Sequence, residues 1–158
     1  MVWGSAGAPP PLPPRLRSLA ALARALDACH RQGVVHRDVK PENVMVVSDE
    51  NGLRPVLVDF GLGYVESRSG STFDLSDRLL GTAAYIAPEQ VAEQRIGSDP
   101  KSEQFSFGCI AYELLVGEQP FARPSVAKTL AAVSSAAPRL PRTVAPELPR
   151  DVELILLH

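Results

Sequence analysis

The segment from Glu103 to Val116 constrains the fold more than any other part of the sequence, because its residues are apolar on nearly every face of a helix. Its apolar side chains are Phe105, Phe107, Cys109, Ile110, Ala111, Tyr112, Leu114 and Leu115. A helix that is hydrophobic all round is buried in a core, and this segment contains Glu113 and is too short to span a bilayer. We therefore predict one domain built around a central helix, for which 158 residues suffice.

A stretch of eight residues, His36 to Asn43, has the residue types and spacing of a phosphoryl-transfer catalytic loop, and it reads His-Arg-Asp-Val-Lys-Pro-Glu-Asn. In such a loop Asp38 is a proton acceptor, Lys40 is a cation for phosphate and Asn43 is a metal ligand. The same string also arises in surface loops whose charges are merely solvated. Its interpretation therefore depends on the blocks that follow it in the chain.

Three further blocks follow in order. The first is the apolar strand Val56–Gly61, which contains Asp59. The second is Gly81–Tyr85 with the Ala-Pro-Glu triplet Ala87–Glu89, and the third is the central helix. Together with the catalytic loop, these blocks resemble the C-terminal lobe of the protein kinase family, from about Arg15 to the last residue. The sequence has neither the Gly-x-Gly-x-x-Gly loop nor the Val-Ala-x-Lys strand that precede this loop in the family. We therefore expect a partial domain without its N-terminal lobe.

The resemblance implies an α+β fold that is mainly helical, a helical bundle with a short β-hairpin that carries the catalytic and metal-binding loops. The residues support the hairpin directly, because the β-branched runs Val44–Val47 and Val56–Val58 flank an Asn-Gly turn step. Pairing of these strands brings Asn43 near Asp59. An amide and a carboxylate can then share the magnesium ions of a bound nucleotide.

The chain before the catalytic loop divides into a leader and a helix. Residues 1–14 are predicted to be a proline-rich leader or linker. Residues 15–158 are predicted to form the C-terminal lobe, truncated at both ends. Leucine and alanine recur at threes and fours over 15–30, which predicts an amphipathic helix with Gly33 just past its end as a cap. Two shorter helical patterns follow the central helix, at Ser125–Val133 and Asp151–Leu157.

The resemblance also implies the roles of individual residues. In the complete enzyme, Asp38 orients or accepts the proton of a substrate hydroxyl, and Lys40 stabilises charge on the transferred phosphoryl group. Asn43 and Asp59 hold magnesium that bridges the phosphates of ATP, and Met45 matches the floor of the adenine pocket. The implied cofactors are therefore ATP and Mg²⁺.

The polar segment Leu62–Leu80 matches the activation loop of the family. Because Arg37 precedes the catalytic aspartate, its guanidinium is expected to pair with a phosphate on this loop. The candidate acceptors of that phosphate, of which we favour the last, are Ser69, Ser71, Thr72 and Ser76. The alternative is that these hydroxyls are simply solvated. Thr82, together with Lys40, resembles serine/threonine kinases rather than tyrosine kinases.

Two glutamates are expected to position the substrate-binding segment and the catalytic loop. Glu89 matches a glutamate that pairs with an arginine in the family, and the chain stops short of that arginine. Glu103 stands where the family usually has an aspartate that accepts hydrogen bonds from the catalytic-loop backbone. We expect the extra methylene to displace the carboxylate and to leave a buried donor unpaired, at about 1 to 3 kcal/mol, which would loosen the loop.

Composition limits the partners and the compartment. A formal net charge of −2 gives no electrostatic reason to expect nucleic acid or an anionic membrane. Cys29 and Cys109 stand singly, so they are interpreted as small buried hydrophobes in a reducing, cytoplasmic compartment rather than as a disulfide or zinc site. The first residues lack the basic and apolar regions of a secretory signal.

Three functions are compatible with this sequence. The first is a serine/threonine protein kinase acting on a protein substrate, of which this chain is the C-terminal-lobe portion, inactive without an N-terminal lobe or a partner chain. The second is a non-catalytic interaction module or scaffold, because loss of a lobe would expose an apolar surface around Met45 and Phe60. The third, a small-molecule phosphotransferase, is disfavoured by Arg37 and by the Ala87–Glu89 triplet.

Overall fold

The computed structural model describes residues 11–49, 52–60, 82–92, 99–135 and 137–157, and this part of the chain is mainly helical with one antiparallel hairpin. The helices and strands are α1 (Leu12–Arg31), β1 (Val44–Asp49), β2 (Gly52–Leu57), α2 (Pro88–Ala92), α3 (Pro100–Val116), α4 (Val126–Ser135), α5 (Pro141–Val144) and α6 (Arg150–Leu156). Two single 3₁₀ turns lie at Pro41–Asn43 and Ala83–Tyr85. A mainly helical fold with a short hairpin is what the sequence predicted.

Helix α3 is the central element of the core, as its apolar sequence predicted. It packs against α1, the 3₁₀ turn at Ala83–Tyr85, α5 and α6. Its start is fixed by a capping box, in which the Asp99 carboxylate accepts from the Ser102 N–H at 2.8 Å and the Ser102 hydroxyl accepts from the Asp99 N–H at 2.9 Å. Its end is fixed by Gly117, whose φ of +91° allows its N–H to close on the Glu113 carbonyl at 2.9 Å.

Helix α1 lies against both α3 and β2. It begins at Leu12, so Pro13 and Pro14 belong to its first turn and the predicted leader does not extend to residue 14. Prolines are tolerated there because the first N–H groups of a helix have no intrahelical partner. The helix ends at Arg31, and Gly33 lies just past it as expected, with a φ of +71° and an N–H that donates to the His30 carbonyl at 2.9 Å.

The hairpin places the end of the catalytic loop beside the residues that lead from β2 to Asp59. Strands β1 and β2 pair in a register that sets Val44 opposite Leu57 and Asp49 opposite Gly52. The connecting residues, 50 and 51, lie outside the described part of the chain. Beyond the last pair, the Val58 N–H donates to the Asn43 carbonyl at 3.0 Å. The two ends of the hairpin that carry candidate site residues are therefore hydrogen-bonded to each other.

The C-terminal part follows the predicted pattern with one addition. Helices α4 and α6 match the two shorter helical patterns within one or two residues. The four-residue helix α5 was not predicted, because it lies in a proline-rich stretch; Pro141 is at its first turn, where proline is compatible with a helix. Cys29 and Cys109 are both free thiols, and Cys109 is buried.

Some predicted features lie outside the described residues. These are the first ten residues of the leader and the segment matching the activation loop, with Ser69, Ser71, Thr72 and Ser76. Within the described ranges, no helix combines the length and the hydropathy needed to cross a bilayer.

Candidate active site

The catalytic-loop residues predicted from the sequence converge on one carboxylate oxygen. Lys40 Nζ lies 2.9 Å from Asp38 Oδ2, and Asn43 Nδ2 donates to the same oxygen at 2.8 Å. Asn43 Nδ2 also donates to the Asp38 backbone carbonyl at 2.7 Å. A cation and an amide thus fix the carboxylate in one orientation, while about a quarter of the Asp38 side chain, 24%, is exposed to solvent. An acceptor hydroxyl can therefore reach it.

Lys40 also connects the catalytic loop to the segment that precedes the Ala-Pro-Glu triplet. Its ammonium group donates to Thr82 Oγ1 at 3.4 Å, a long contact. A cavity of about 50 Å³ separates the two segments and is lined by Arg37, Asp38, Thr82 and Tyr85, among others. Since about 10 to 15 Å³ of such space is enough to hold one water molecule, the cavity has room for a small polar group beside the carboxylate.

The buried imidazole of His36 joins the catalytic loop to the residues that lead from β2 to Asp59. Its Nδ1 accepts from the Asp38 N–H at 3.3 Å, and its Nε2 lies 2.8 Å from the Val58 carbonyl oxygen. Because a carbonyl only accepts, Nε2 must carry the proton and the ring is a neutral tautomer. The ring also lies against Phe60, with centroids 4.3 Å apart. His36 and Phe60 therefore pack together.

Asp59 follows the strand at a special backbone position. Its φ is +63°, a left-handed conformation that aspartate tolerates better than most residues. It is exposed and comes directly after Val58, which is hydrogen-bonded to Asn43. The chemistry of this pair suits Mg²⁺, which prefers oxygen ligands. Because the Asn43 amide uses its nitrogen toward Asp38, its Oδ1 is the atom that suits a cation.

Apolar side chains remain on the surface next to this site. Met45 is 45% exposed, Val47 is 41% exposed and Phe60 is 43% exposed. Met45 and Val47 are two residues apart on β1, so they share one face of the hairpin. Met45 and Phe60 are therefore each exposed, as expected.

Glu103 holds the backbone of the catalytic loop, contrary to the expectation that its extra methylene leaves a donor unpaired. Its Oε1 accepts from the Arg37 N–H at 2.5 Å, and its Oε2 lies 2.7 Å from His30 Nε2. The carboxylate is 2% exposed and lies in the first turn of α3. His30 was not predicted as its partner, although a buried carboxylate needs a positively charged or hydrogen-bond-donating neighbour.

A second polar network, also missed, fixes the segment before the Ala-Pro-Glu triplet to α3. The Tyr85 hydroxyl donates to Glu113 Oε2 and accepts from Gln119 Nε2 at 2.9 Å. The Ser106 hydroxyl donates to the Tyr85 carbonyl at 2.7 Å. Burial raises the pKa of Glu113 above its ordinary value, while the Tyr85 hydrogen bond opposes that rise. Burial is the main cause that raises the pKa of Tyr85, and the hydrogen bond to Glu113 raises it further, so this phenol stays protonated. Glu89 lies beyond this network, exposed on α2.

Comparison with known proteins agrees with this geometry. Residues 16–152 match the family described as protein kinase domain. The chain is 38% identical over 152 residues to the serine/threonine-protein kinase pkn2 of Myxococcus xanthus, covering 94% of the chain and 18% of pkn2. It is 42% identical over 113 residues to the serine/threonine-protein kinase PknL of Mycobacterium tuberculosis, covering 70% of the chain and 27% of PknL.

A third relative is the probable serine/threonine-protein kinase PknB of Bifidobacterium longum, 36% identical over 132 residues, covering 78% of the chain and 18% of that protein. The chain thus spans between 18% and 27% of the length of these relatives. The family match includes the catalytic loop, the hairpin and the central helix described above. The chain therefore belongs to the protein kinase family, and within it to the eukaryotic-like serine/threonine kinases.

Proposed function

We propose that this chain is the C-terminal-lobe portion of a serine/threonine protein kinase, which transfers the γ-phosphate of ATP to serine or threonine hydroxyls of a protein substrate. The observation that carries the proposal is the convergence of Lys40 Nζ and Asn43 Nδ2 on Asp38 Oδ2, at 2.9 and 2.8 Å. A carboxylate oriented by a cation and an amide beside a small polar cavity is suited to receive a hydroxyl proton.

The chemistry assigns a separate task to each residue. Asp38 orients the acceptor hydroxyl and takes its proton as the oxygen attacks the γ-phosphorus, and such positioned acid-base groups contribute about 10²- to 10⁴-fold. Lys40, near both Asp38 and Thr82, stabilises negative charge on the transferred phosphoryl oxygens. Mg²⁺ would be held by Asp59 and Asn43 and would neutralise charge on the ATP phosphates when bound.

Transfer requires a surface that closes over the nucleotide, and we propose that a further lobe or a partner chain provides it. The support is the exposure of three apolar side chains outside the core, Met45 and Val47 on β1 and Phe60 after β2. In this proposal Met45 forms the floor under the adenine base. The isolated chain is then expected to be inactive or nearly so in phosphoryl transfer.

The same exposed surface favours a second candidate function, a non-catalytic interaction module. An apolar patch on a soluble domain marks a contact surface as readily as a nucleotide floor. The two candidates differ in what they require of Asp59. A nucleotide site needs its carboxylate for Mg²⁺, whereas an apolar contact surface does not.

Isothermal titration calorimetry with magnesium-ATP tests the proposal. We expect heat of binding for the unaltered chain, loss of binding for Asp59→Ala, and retained binding for Asp27→Ala. Asp27 is the matched control, because it is an exposed carboxylate on α1 whose partner is the Arg31 side chain. Absence of nucleotide binding by a chain that unfolds cooperatively would favour the interaction module. If binding occurs, Asp38→Asn should abolish phosphoryl transfer in a preparation that contains the complementary lobe.

Regulation by phosphorylation completes the proposal. We propose Ser76 as the modified residue and Arg37 as the group that pairs with its phosphate, while Thr82 and Glu89 position the substrate-binding segment. The support is the place of this serine in a polar segment shortly before Gly81. Phosphopeptide mass spectrometry of an active preparation checks this assignment, and an active enzyme unmodified between residues 62 and 80 would refute it.

A further inference from the structure

The last turn of α3 is held by a side chain from the first turn of α1. Nη1 of the Arg15 guanidinium donates to the backbone carbonyls of Leu114 and Leu115, at 3.1 Å each. The sequence separations are 99 and 100 residues, so both contacts are tertiary. The last carbonyls of a helix have no intrahelical donor, and helix ends without partners open readily. Arg15 therefore supplies donors that α3 itself lacks.

The electrostatics of this contact favour a geometric role. The two acceptors are neutral carbonyls at the negative end of the α3 dipole, which stabilises a cation. The Arg15 Nε–H is buried, and within the described ranges it has no hydrogen-bond partner. Burial of a donor without an acceptor costs free energy, so part of the gain from the two hydrogen bonds is lost. What remains in full is the fixed placement of the end of α3 against the start of α1.

The turn that Arg15 holds also places both partners of the Tyr85 hydroxyl. Glu113, in this turn, accepts from the hydroxyl, and Gln119 donates to it at 2.9 Å. The turn is closed by Gly117, whose N–H donates to the Glu113 carbonyl at 2.9 Å. Gln119 comes two residues after this glycine, so its place depends on where the helix ends. The two partners stay in register with the hydroxyl only while the turn is formed.

Tyr85 in turn lies close in the chain to a contact of the catalytic loop. It ends the 3₁₀ turn that begins one residue after Thr82. Thr82 Oγ1 accepts from Lys40 Nζ at 3.4 Å, and the same ammonium group lies 2.9 Å from Asp38 Oδ2. A displacement of the Tyr85 ring therefore moves the hydroxyl that Lys40 contacts.

We propose that Arg15 is a positioning residue of this active site: by holding the last turn of α3, it keeps both partners of the Tyr85 hydroxyl in place. Tyr85 then sets the position of Thr82 beside Lys40. The inference rests on the proposed function for the role of Lys40. The link from Arg15 to Tyr85 does not, and it is tested on the chain without ATP.

A double-mutant cycle in urea unfolding tests this link, because the Arg15 guanidinium and the Tyr85 hydroxyl bond to different partners. Arg15→Met alone should lower the urea midpoint by about 0.5 to 1.5 M. In the Tyr85→Phe background the same change should lower it by less, with a difference of about 0.3 M or more, because the hydroxyl contacts are already absent. Independent sites add more closely than that.

Tyr112→Phe is the matched control background. Tyr112 lies on the same helix, but its hydroxyl donates to the Arg139 carbonyl at 3.0 Å rather than to the held turn. Arg15→Met should lower the midpoint there by as much as in the unaltered chain. If Arg15→Met does not fold, Arg15→Lys replaces it in the same cycle, since lysine keeps the charge but not the guanidinium.

Hydrogen exchange of the Gly117 amide, followed by NMR, reports on the turn directly. Its N–H closes the turn on the Glu113 carbonyl. We expect exchange to be about tenfold faster or more in Arg15→Met, because the end of α3 opens more often without its outside donors. Arg17→Met, a change at an exposed arginine of the same helix, should leave this amide unaffected.

Three results would overturn the inference. Equal midpoint shifts for Arg15→Met in the unaltered and Tyr85→Phe backgrounds would mean that Arg15 does not act on the Tyr85 contacts. An equally reduced shift in the Tyr112→Phe background would assign the coupling to α3 as a whole. Unchanged exchange of the Gly117 amide in Arg15→Met would mean that the turn holds itself. None of these measurements uses nucleotide, so their failure is distinct from a failure of the calorimetric test of the proposed function.

Discussion

Replacement of Tyr85 by phenylalanine removes a single hydroxyl that links the segment before the Ala-Pro-Glu triplet to the central helix. The ring is 4% exposed and keeps its volume in the variant, so no cavity forms. The hydroxyl donates to the Glu113 carboxylate, and a hydrogen bond to a charged group is worth about 1.5 to 3 kcal/mol. We expect Tyr85→Phe to lower the free energy of unfolding by about that amount near neutral pH.

The size of this loss depends on pH in a defined direction. Burial raises the pKa of Glu113 in the folded chain, and the Tyr85 hydrogen bond lowers it. A carboxyl group whose pKa is raised by folding contributes stability at low pH that is lost as pH rises through the folded pKa. Removal of the hydroxyl raises this pKa further, so the variant loses more stability than the unaltered chain as pH rises. The cost of the substitution should therefore shrink as the pH falls and Glu113 takes up a proton.

Urea unfolding at a series of pH values measures this effect. With a slope of about 2 kcal/mol per molar urea, the expected loss moves the midpoint by roughly 1 M near neutral pH. Tyr112→Phe is the matched control, because the Tyr112 hydroxyl donates to a neutral acceptor, the Arg139 carbonyl, at 3.0 Å. Its cost should be about 0.5 to 1.5 kcal/mol and nearly independent of pH in the acidic range. Equal and pH-independent costs in the two variants would refute the reasoning.

Three further predictions concern buried or partly buried side chains. Arg15→Met removes a guanidinium that donates to the Leu114 and Leu115 carbonyls at 3.1 Å each. We expect this change to lower the free energy of unfolding by about 1 to 3 kcal/mol in thermal or urea unfolding. Arg17→Met is the control and should lower it little, because Arg17 is exposed. Burial raises the pKa of Cys109 to about 12, so iodoacetamide should label Cys29 in the folded chain, and mass spectrometry should find Cys109 labelled only after unfolding. Glu103→Asp shortens a side chain that now contacts two partners, and calorimetric unfolding should show a loss of about 1 to 3 kcal/mol; an unchanged midpoint would contradict the two-contact description.

The elements that the sequence predicted best are those whose signal is local. The central helix was recognisable because its residues are apolar on every face, and the hairpin because two β-branched runs flank an Asn-Gly step. The start of α1 was misplaced because consecutive prolines indicate an extended chain, although Pro13 and Pro14 are compatible with the first turn of a helix. Helix α5 was missed for the same reason.

The contacts of the site were less predictable, because they depend on where distant segments meet. The spacing of the catalytic loop named Asp38, Lys40 and Asn43 as a group, and their side chains do converge. The expectation that Glu103 leaves a buried donor unpaired was wrong, because its carboxylate still reaches the Arg37 N–H and its second oxygen meets His30. The second partner, His30, is 73 residues away in the chain, and no local pattern connects the two.

The backbone of the site is the clearest case of structure imposed by distant contacts. Among the described residues, the non-glycine positions with positive φ are Arg37 at +72° and Asp59 at +63°, one beside the candidate base and the other a candidate magnesium ligand. Left-handed backbone costs an L-residue roughly 1 to 2 kcal/mol, so both must be held by their surroundings. The Arg37 N–H is held by Glu103, and His36 joins the two regions by accepting from the Asp38 N–H and donating to the Val58 carbonyl. The local backbone preferences of these residue types do not predict a positive φ at either position. Aspartate adopts it more often than most residues, and arginine does so rarely. The sequence pattern identifies which residues take part in the site, whereas buried side chains from α1, α3 and the catalytic loop set the conformation in which they act.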